Sequence, residues 1–192
     1  PLALSVTRVL SGPSRRPAIV MIHGGGFRYG SRTDYDEEAR FLARRGWVSV
    51  SIDYELQNAN VASDREAAGR AFMIALDNSL DALDWVRRHA DSLGIDPDQI
   101  VVFGESAGGA IASGLAYIVE DRAMVKAAIS ASGRSDPALW HFFDGSDKPV
   151  MFLSWTDDPG DDLDIERSTC AYAVTRGSPC ENLVLAGAGH GV

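Results

Sequence analysis

Apolar and polar positions alternate between two periods along the chain. The run Ala18 to His23, AIVMIH, is continuously apolar and rich in β-branched residues, which predicts a strand buried on both faces. WVSVSIDY (47–54), QIVVFG (99–104), VKAAIS (125–130), PVMFLSW (149–155) and NLVLAG (182–187) read the same way, and the opening LALSVTRVL adds a candidate edge strand. Between these runs the period changes to that of a helix. DYDEEARFLARRG carries acids in its first turn, arginines in its last and Gly46 as a stop, which suits the helix dipole and its C-terminal cap. Residues 63–94 predict one long helix, opened by a capping box of Ser63 with Glu66 and closed at Gly94. Phe72, Ala75, Leu76, Ser79, Leu83 and Val86 trace its apolar face. SAGGAIASGLAYIVED and DLDIERSTCAYAVTRG supply two further helices. Strands alternating with helices predict an α/β domain spanning residues 1–192, with a parallel sheet covered on both faces. Such sheets bind ligands at the carboxyl ends of their strands, here just after Ile22, Phe103, Trp155 and Gly187.

Composition narrows the function classes. The chain has 192 residues, 45% hydrophobic and 23% charged, with a formal net charge of −9, enough for one domain with a substantial core. Arginines occur as isolated pairs (Arg15 with Arg16, Arg44 with Arg45, Arg87 with Arg88), and phosphate binding needs clustered positive charge, so nucleic acid is not an expected partner. No apolar run is long enough to span a bilayer. The first residue is Pro1 and not Met, consistent with removal of a leader or N-terminal segment. Cys170 and Cys180 are too few for a metal site of their own. Their even count and close spacing favour a disulfide, and with it a secreted or extracytoplasmic setting over a cytoplasmic one.

The strongest chemical signal is GESAGG, Gly104 to Gly109, which fits G-x-S-x-G between an apolar strand and a small-residue helix. In that context a sharp turn lifts Ser106 out of the sheet as a nucleophile. HGGGF, His23 to Phe27, follows another strand. Its glycines allow close backbone approach to a substrate oxygen, and their N–H groups together with that of Ala107 suit stabilisation of an oxyanion. As a phosphate loop the motif fails, for there is no G-x-G-x-x-G and no following Lys-Ser/Thr. His23 itself reads as structural.

A serine hydroxyl needs a base to become nucleophilic. Of His89, His141 and His190, only His190 follows the last strand and leaves room for an acid between it and Ser106, as the order Ser, acid, His requires. His141 is its competitor. The acid is sought in SWTDDPGDDLD, Ser154 to Asp164, which holds five aspartates. The segment lacks the alternating ligand period of a calcium loop, and no metal is expected there. Asp161, Asp162 and Asp164 suit the start of the next helix, leaving Asp157 and Asp158.

AIVMIHGGGF, GESAGGA, PVMFLSWTDDP and CENLVLAGAGHG, in this order along nearly the whole chain, make it resemble the α/β-hydrolase fold and, within it, the esterases and lipases with an HGGG oxyanion motif. The resemblance implies a mostly parallel sheet, a Ser-Asp-His triad, an acyl-enzyme intermediate and no cofactor. It maps the oxyanion donors onto Gly25, Gly26 and Ala107. The family's H-G-T-x-D-P stretch, matched at Thr156 and Pro159, puts the acid at Asp158, with Asp157 in the variable position before it. Ser154 and Trp155 stand where the family commonly has His and Gly; Trp155 would either narrow the pocket or pack beneath the loop. Family members often insert a cap between the strands near Ser130 and Pro149, where this chain has only ASGRSDPALWHFFDGSDK. The chain ends two residues after His190, where the fold usually adds a helix. These features describe a minimal hydrolase with an open site, expected to admit bulky or extended esters and to show no jump in activity as substrate forms micelles. The same triad would serve an acyltransferase or a thioesterase-type biosynthetic enzyme, and a non-catalytic ligand receptor on this scaffold is the rival from another class.

Overall fold

The computed structural model describes residues 2–11, 15–58, 61, 64–119, 124–159, 163–187 and 189–190. Seven strands, β1 (Leu4–Thr7), β2 (Arg16–Ile22), β3 (Val48–Ile52), β4 (Ile95–Glu105), β5 (Ala127–Ala131), β6 (Val150–Trp155) and β7 (Cys180–Leu185), form one sheet in the order β1-β3-β2-β4-β5-β6-β7. β1 runs antiparallel to β3, and every other pairing is parallel. β2 and β4 sit side by side in register, with Val20 beside both Val50 and Val102. From β2 the chain crosses one way to β3, then returns past β2 to β4 and continues outward to β7. The direction of winding therefore reverses between β2 and β4, and such a switch point opens a crevice at the carboxyl ends of the strands.

The helices are α1 (Asp36–Ala43), α2 (Arg65–Arg88), α3 (Ala90–Leu93), α4 (Ala107–Tyr117) and α5 (Leu163–Thr175), with a 3-10 turn at Pro137–Phe142. Alternate strand residues point to opposite faces. Val20, Ile22, Val50, Val102 and Phe152 bury the larger core with α2, α4 and α5. Ile19 and Met21 bury a smaller one on the other face with Tyr35 and Ala39, packed by Leu42, Trp47 and Phe103. This is the α/β-hydrolase architecture, and between β5 and β6 it carries no more than the one 3-10 turn.

The helix expected over residues 63–94 is two helices. α2 ends at His89, whose ring stacks on Trp85 and whose Nδ1 lies 2.8 Å from the Trp85 carbonyl oxygen, capping the last turn. Gly94, left-handed at φ 71°, closes α3. Ser63 lies outside the described residues. The N-cap of α2 is its neighbour Asp64, whose carboxylate accepts from the N–H groups of Glu66 and Ala67, so the cap sits one residue later than the Ser63 capping box. At the other end of the chain a Cys170–Cys180 disulfide ties α5 to β7. No helix among the described residues is long and apolar enough to cross a membrane.

Candidate active site

Ser106 is the single residue between β4 and α4, at φ 54° and ψ −117°. A side-chain-bearing residue in that region stores about 1–3 kcal/mol of strain, so its surroundings must hold it there. Its N–H donates to the Ala131 carbonyl (2.8 Å) and its carbonyl accepts from the Ala110 N–H (3.0 Å). The flanking glycines allow the turn. A Cβ at Gly104 would lie 2.1 Å from the Gly108 oxygen, and one at Gly108 would lie 2.0 Å from the Ile22 oxygen. Strand β4, helix α4 and the end of β2 thus meet backbone to backbone, bringing the two glycine motifs together.

The loop after β2 lies against this elbow. A Cβ at Gly24 would be 3.4 Å from that of Ser106. Gly25 (φ 96°), Gly26 (φ 60°) and Phe27 (φ 62°) are all left-handed, and the Gly25 carbonyl accepts from the N–H groups of Arg28 (3.1 Å) and Tyr29 (3.2 Å). Ala107 opens α4, so its N–H has no carbonyl within the helix to bond. His23 is buried, with Nδ1 2.9 Å from the Gly24 carbonyl oxygen and its ring stacked 4.2 Å from Tyr54. The Tyr54 hydroxyl donates to the carbonyls of both His23 and Gly24, each at 3.0 Å. Burial first, and Asp34 second, raise the Tyr54 phenol well above its ordinary value, which keeps it a donor. Beyond the turn, Asp53 accepts from the Arg32 N–H and pairs with the Arg32 guanidinium at 2.6 Å. Tyr54 and Asp53 carry no motif that marks them as supports in the amino-acid sequence; their signal is their place at the end of β3, beside β2.

Two distant segments converge on Ser106. His190, beyond β7, has Nε2 at 2.8 Å from the Ser106 Oγ and Nδ1 at 2.9 Å from both carboxylate oxygens of Asp158. The Asp158 side chain is fully buried. An ionised carboxylate accepts only, so Nδ1 carries the proton and neutral Nε2 is left to accept from the serine hydroxyl. Asp157 is exposed and accepts from the Thr156 hydroxyl at 3.0 Å. Thr156 also ties the two loops together: its N–H donates to the Leu185 carbonyl (3.0 Å), and its Oγ1 accepts from the Gly187 N–H (3.0 Å). His141 stays on the 3-10 turn, its Nδ1 2.7 Å from the Ala138 carbonyl oxygen. Asp164 is in the first turn of α5, while Asp161 and Asp162 lie outside the described residues. Trp155 is buried at the end of β6. Ser154 enters a buried polar set, donating to Glu166 and accepting from the Asn182 side-chain amide.

Residues 2–140 match the model of the carboxylesterase family. Among curated proteins, acetylcholinesterase of Gallus gallus is 38% identical over 113 residues, covering 57% of this chain and 14% of that protein. Carboxylesterase NlhH of Mycobacterium tuberculosis is 30% identical over 151 residues, covering 72% of this chain and 44% of its own. The chain thus spans less than half the length of these relatives. Among solved structures, Thermogutta terrifontis esterase 2 phosphorylated by paraoxon aligns with a TM-score of 0.82 at 25% identity, over 99% of this chain and 79% of that one. The family match includes Ser106 and the glycine loop and stops short of Asp158 and His190.

Proposed function

The chain belongs to the carboxylesterase family, and on that premise we propose that it hydrolyses carboxylic esters with Ser106 as nucleophile, His190 as general base and acid, and Asp158 as the group that orients His190. The Ser106 Oγ attacks the acyl carbon while His190 Nε2 takes the hydroxyl proton. The carbonyl π electrons move to oxygen, and the N–H groups of Gly25, Gly26 and Ala107 receive that charge. One such donor is typically worth about 2.7–4 kcal/mol of transition-state stabilisation. Collapse of the tetrahedral intermediate breaks the bond to the alcohol oxygen, and His190 hands it the proton. Water then repeats the sequence on the acyl-enzyme: His190 takes a water proton, hydroxide adds to the acyl carbon, and Ser106 leaves with the proton returned. Asp158 stays ionised throughout, holding the imidazole in one tautomer and stabilising the imidazolium as it forms.

The observation that carries this reading is the unbroken series of contacts from the Ser106 Oγ through His190 to a fully buried carboxylate. The strained serine supports it, because strain of this kind persists only where the surroundings hold it in place. Ser106→Ala tests it. With 4-nitrophenyl acetate as substrate, catalytic efficiency (kcat/KM) is expected to fall by about 10⁴-fold or more at an unchanged circular dichroism spectrum. Activity within tenfold of wild type would reject the assignment.

A further inference from the structure

Glu166 is a buried carboxylate that the proposed mechanism leaves unused. It stands in the first turn of α5 with no exposed surface, and Ser154, the next-to-last residue of β6, is equally buried. The Ser154 hydroxyl donates to the Glu166 carboxylate, and its oxygen accepts from the side-chain amide of Asn182 on β7 at 3.4 Å. One hydroxyl thus joins α5, β6 and β7. The Ser154–Glu166 contact spans 12 positions of the chain, and Asp158 lies on the segment it closes. Farther along the same helix, Cys170 is bonded to Cys180 at the start of β7. The helix is therefore held to the sheet twice, by a covalent bond at the amino end of β7 and by a hydrogen bond at the base of the acid loop.

Burying a carboxylate is unfavourable unless hydrogen bonds replace its lost water, and an apolar side chain of similar size would avoid that penalty. What the carboxylate supplies, and a leucine would not, is a directional hold on one hydroxyl. We propose that Glu166 is a positioning residue for ester hydrolysis: through Ser154 it fixes the end of β6 against α5 and β7, and so sets where the Asp158 carboxylate stands relative to the His190 ring. The proposal rests on the Ser106–His190–Asp158 reading. The path is short. Trp155 follows Ser154, its carbonyl accepts from the Asp158 N–H at 3.4 Å, and the Asp158 carboxylate meets His190 Nδ1 at 2.9 Å. Misplacing reacting groups by about 1 Å can slow a reaction by about 100-fold.

Steady-state kinetics with 4-nitrophenyl acetate test this together with the downfield proton resonance of the His190 Nδ1–H, assigned by its loss in Asp158→Asn. Ser154→Ala removes the hydroxyl, and Glu166→Leu removes its acceptor. Each should lower kcat by about tenfold or more, leave KM within about twofold, and move or broaden the resonance. Ser154→Ala deletes a single oxygen and decides alone should Glu166→Leu not fold. The double variant should lose no more than either single one, because both cut the same link. Glu166→Gln keeps an oxygen that accepts from Ser154 and should retain kcat within about threefold, with the resonance in place. Thr169→Val is the control: Thr169 is as buried, one turn along α5, and its hydroxyl accepts from the Trp140 indole N–H at 3.1 Å. Its Tm should fall while kcat and the resonance stay as in wild type. An unchanged kcat in Ser154→Ala, a loss of kcat with the resonance unmoved, or an equal loss in Thr169→Val would each overturn the proposal alone. A wild type inactive toward every ester, or Asp158→Asn as active as wild type, would overturn the underlying reading with it.

Discussion

At the scale of single residues, the acid loop places two neighbouring carboxylates in opposite environments. Asp157 and Asp158 are adjacent and chemically identical, yet one is solvated beside the Thr156 hydroxyl and the other is buried against His190. The difference has a direct consequence. Asp158→Asn replaces an acceptor-only group with one whose amide can donate, which allows the imidazole to take the other tautomer with its proton on Nε2. The proposed mechanism then loses its base, and kcat is expected to fall by about 10⁴-fold. Asp157→Asn leaves the tautomer alone and should change kcat less than threefold. Steady-state kinetics on the two variants, side by side, distinguish these roles; equal losses would show that the burial difference has no catalytic meaning.

Among the elements, two junctions set the geometry of the site. The first is the contact of β2, β4 and α4, which the glycines at 104 and 108 make possible. The second is the C-terminal unit of α5 and β7, from which the His190 loop departs and which the Cys170–Cys180 disulfide closes. A loop of this length contributes about 3 kcal/mol by restricting the unfolded chain. For a chain of this size that corresponds to a loss of about 6–12 °C in Tm for Cys170→Ser with Cys180→Ser, read by thermal unfolding. Since β7, from which the His190 loop departs, is at the sheet edge, the reduced protein should lose esterase activity at a lower temperature than the oxidised one. Equal midpoints for the two forms would remove the disulfide from this account.

Over the whole molecule, the reversal of winding between β2 and β4 places the HGGG loop and the serine elbow side by side, while β6 and β7 deliver the acid and the histidine from one side of them. Much of this is legible in the amino-acid sequence. Strands buried on both faces leave continuous apolar runs, so β2 to β6 stand out to within a few residues. The serine stands out because its turn demands glycines at fixed offsets. What stays hidden depends on contacts between distant segments. Tyr54 and Thr156 act by reaching another loop, Glu166 by reaching Ser154, and none of these contacts leaves a local pattern. The break at His89 is masked because the apolar face continues through it; the imidazole at the Trp85 carbonyl ends the helix without a glycine or proline.

The central claim is that Ser106 is a nucleophile activated by His190 and Asp158. Intact-mass measurement after treatment with a 4-nitrophenyl alkylphosphonate tests it most directly, because the serine oxygen displaces 4-nitrophenolate and keeps the phosphonyl group. The account predicts one adduct per chain, located by peptide mapping on Ser106 and absent in Ser106→Ala, with esterase activity lost in step with labelling. Full activity in the labelled enzyme, or an adduct on any other residue with Ser106 untouched, would contradict it.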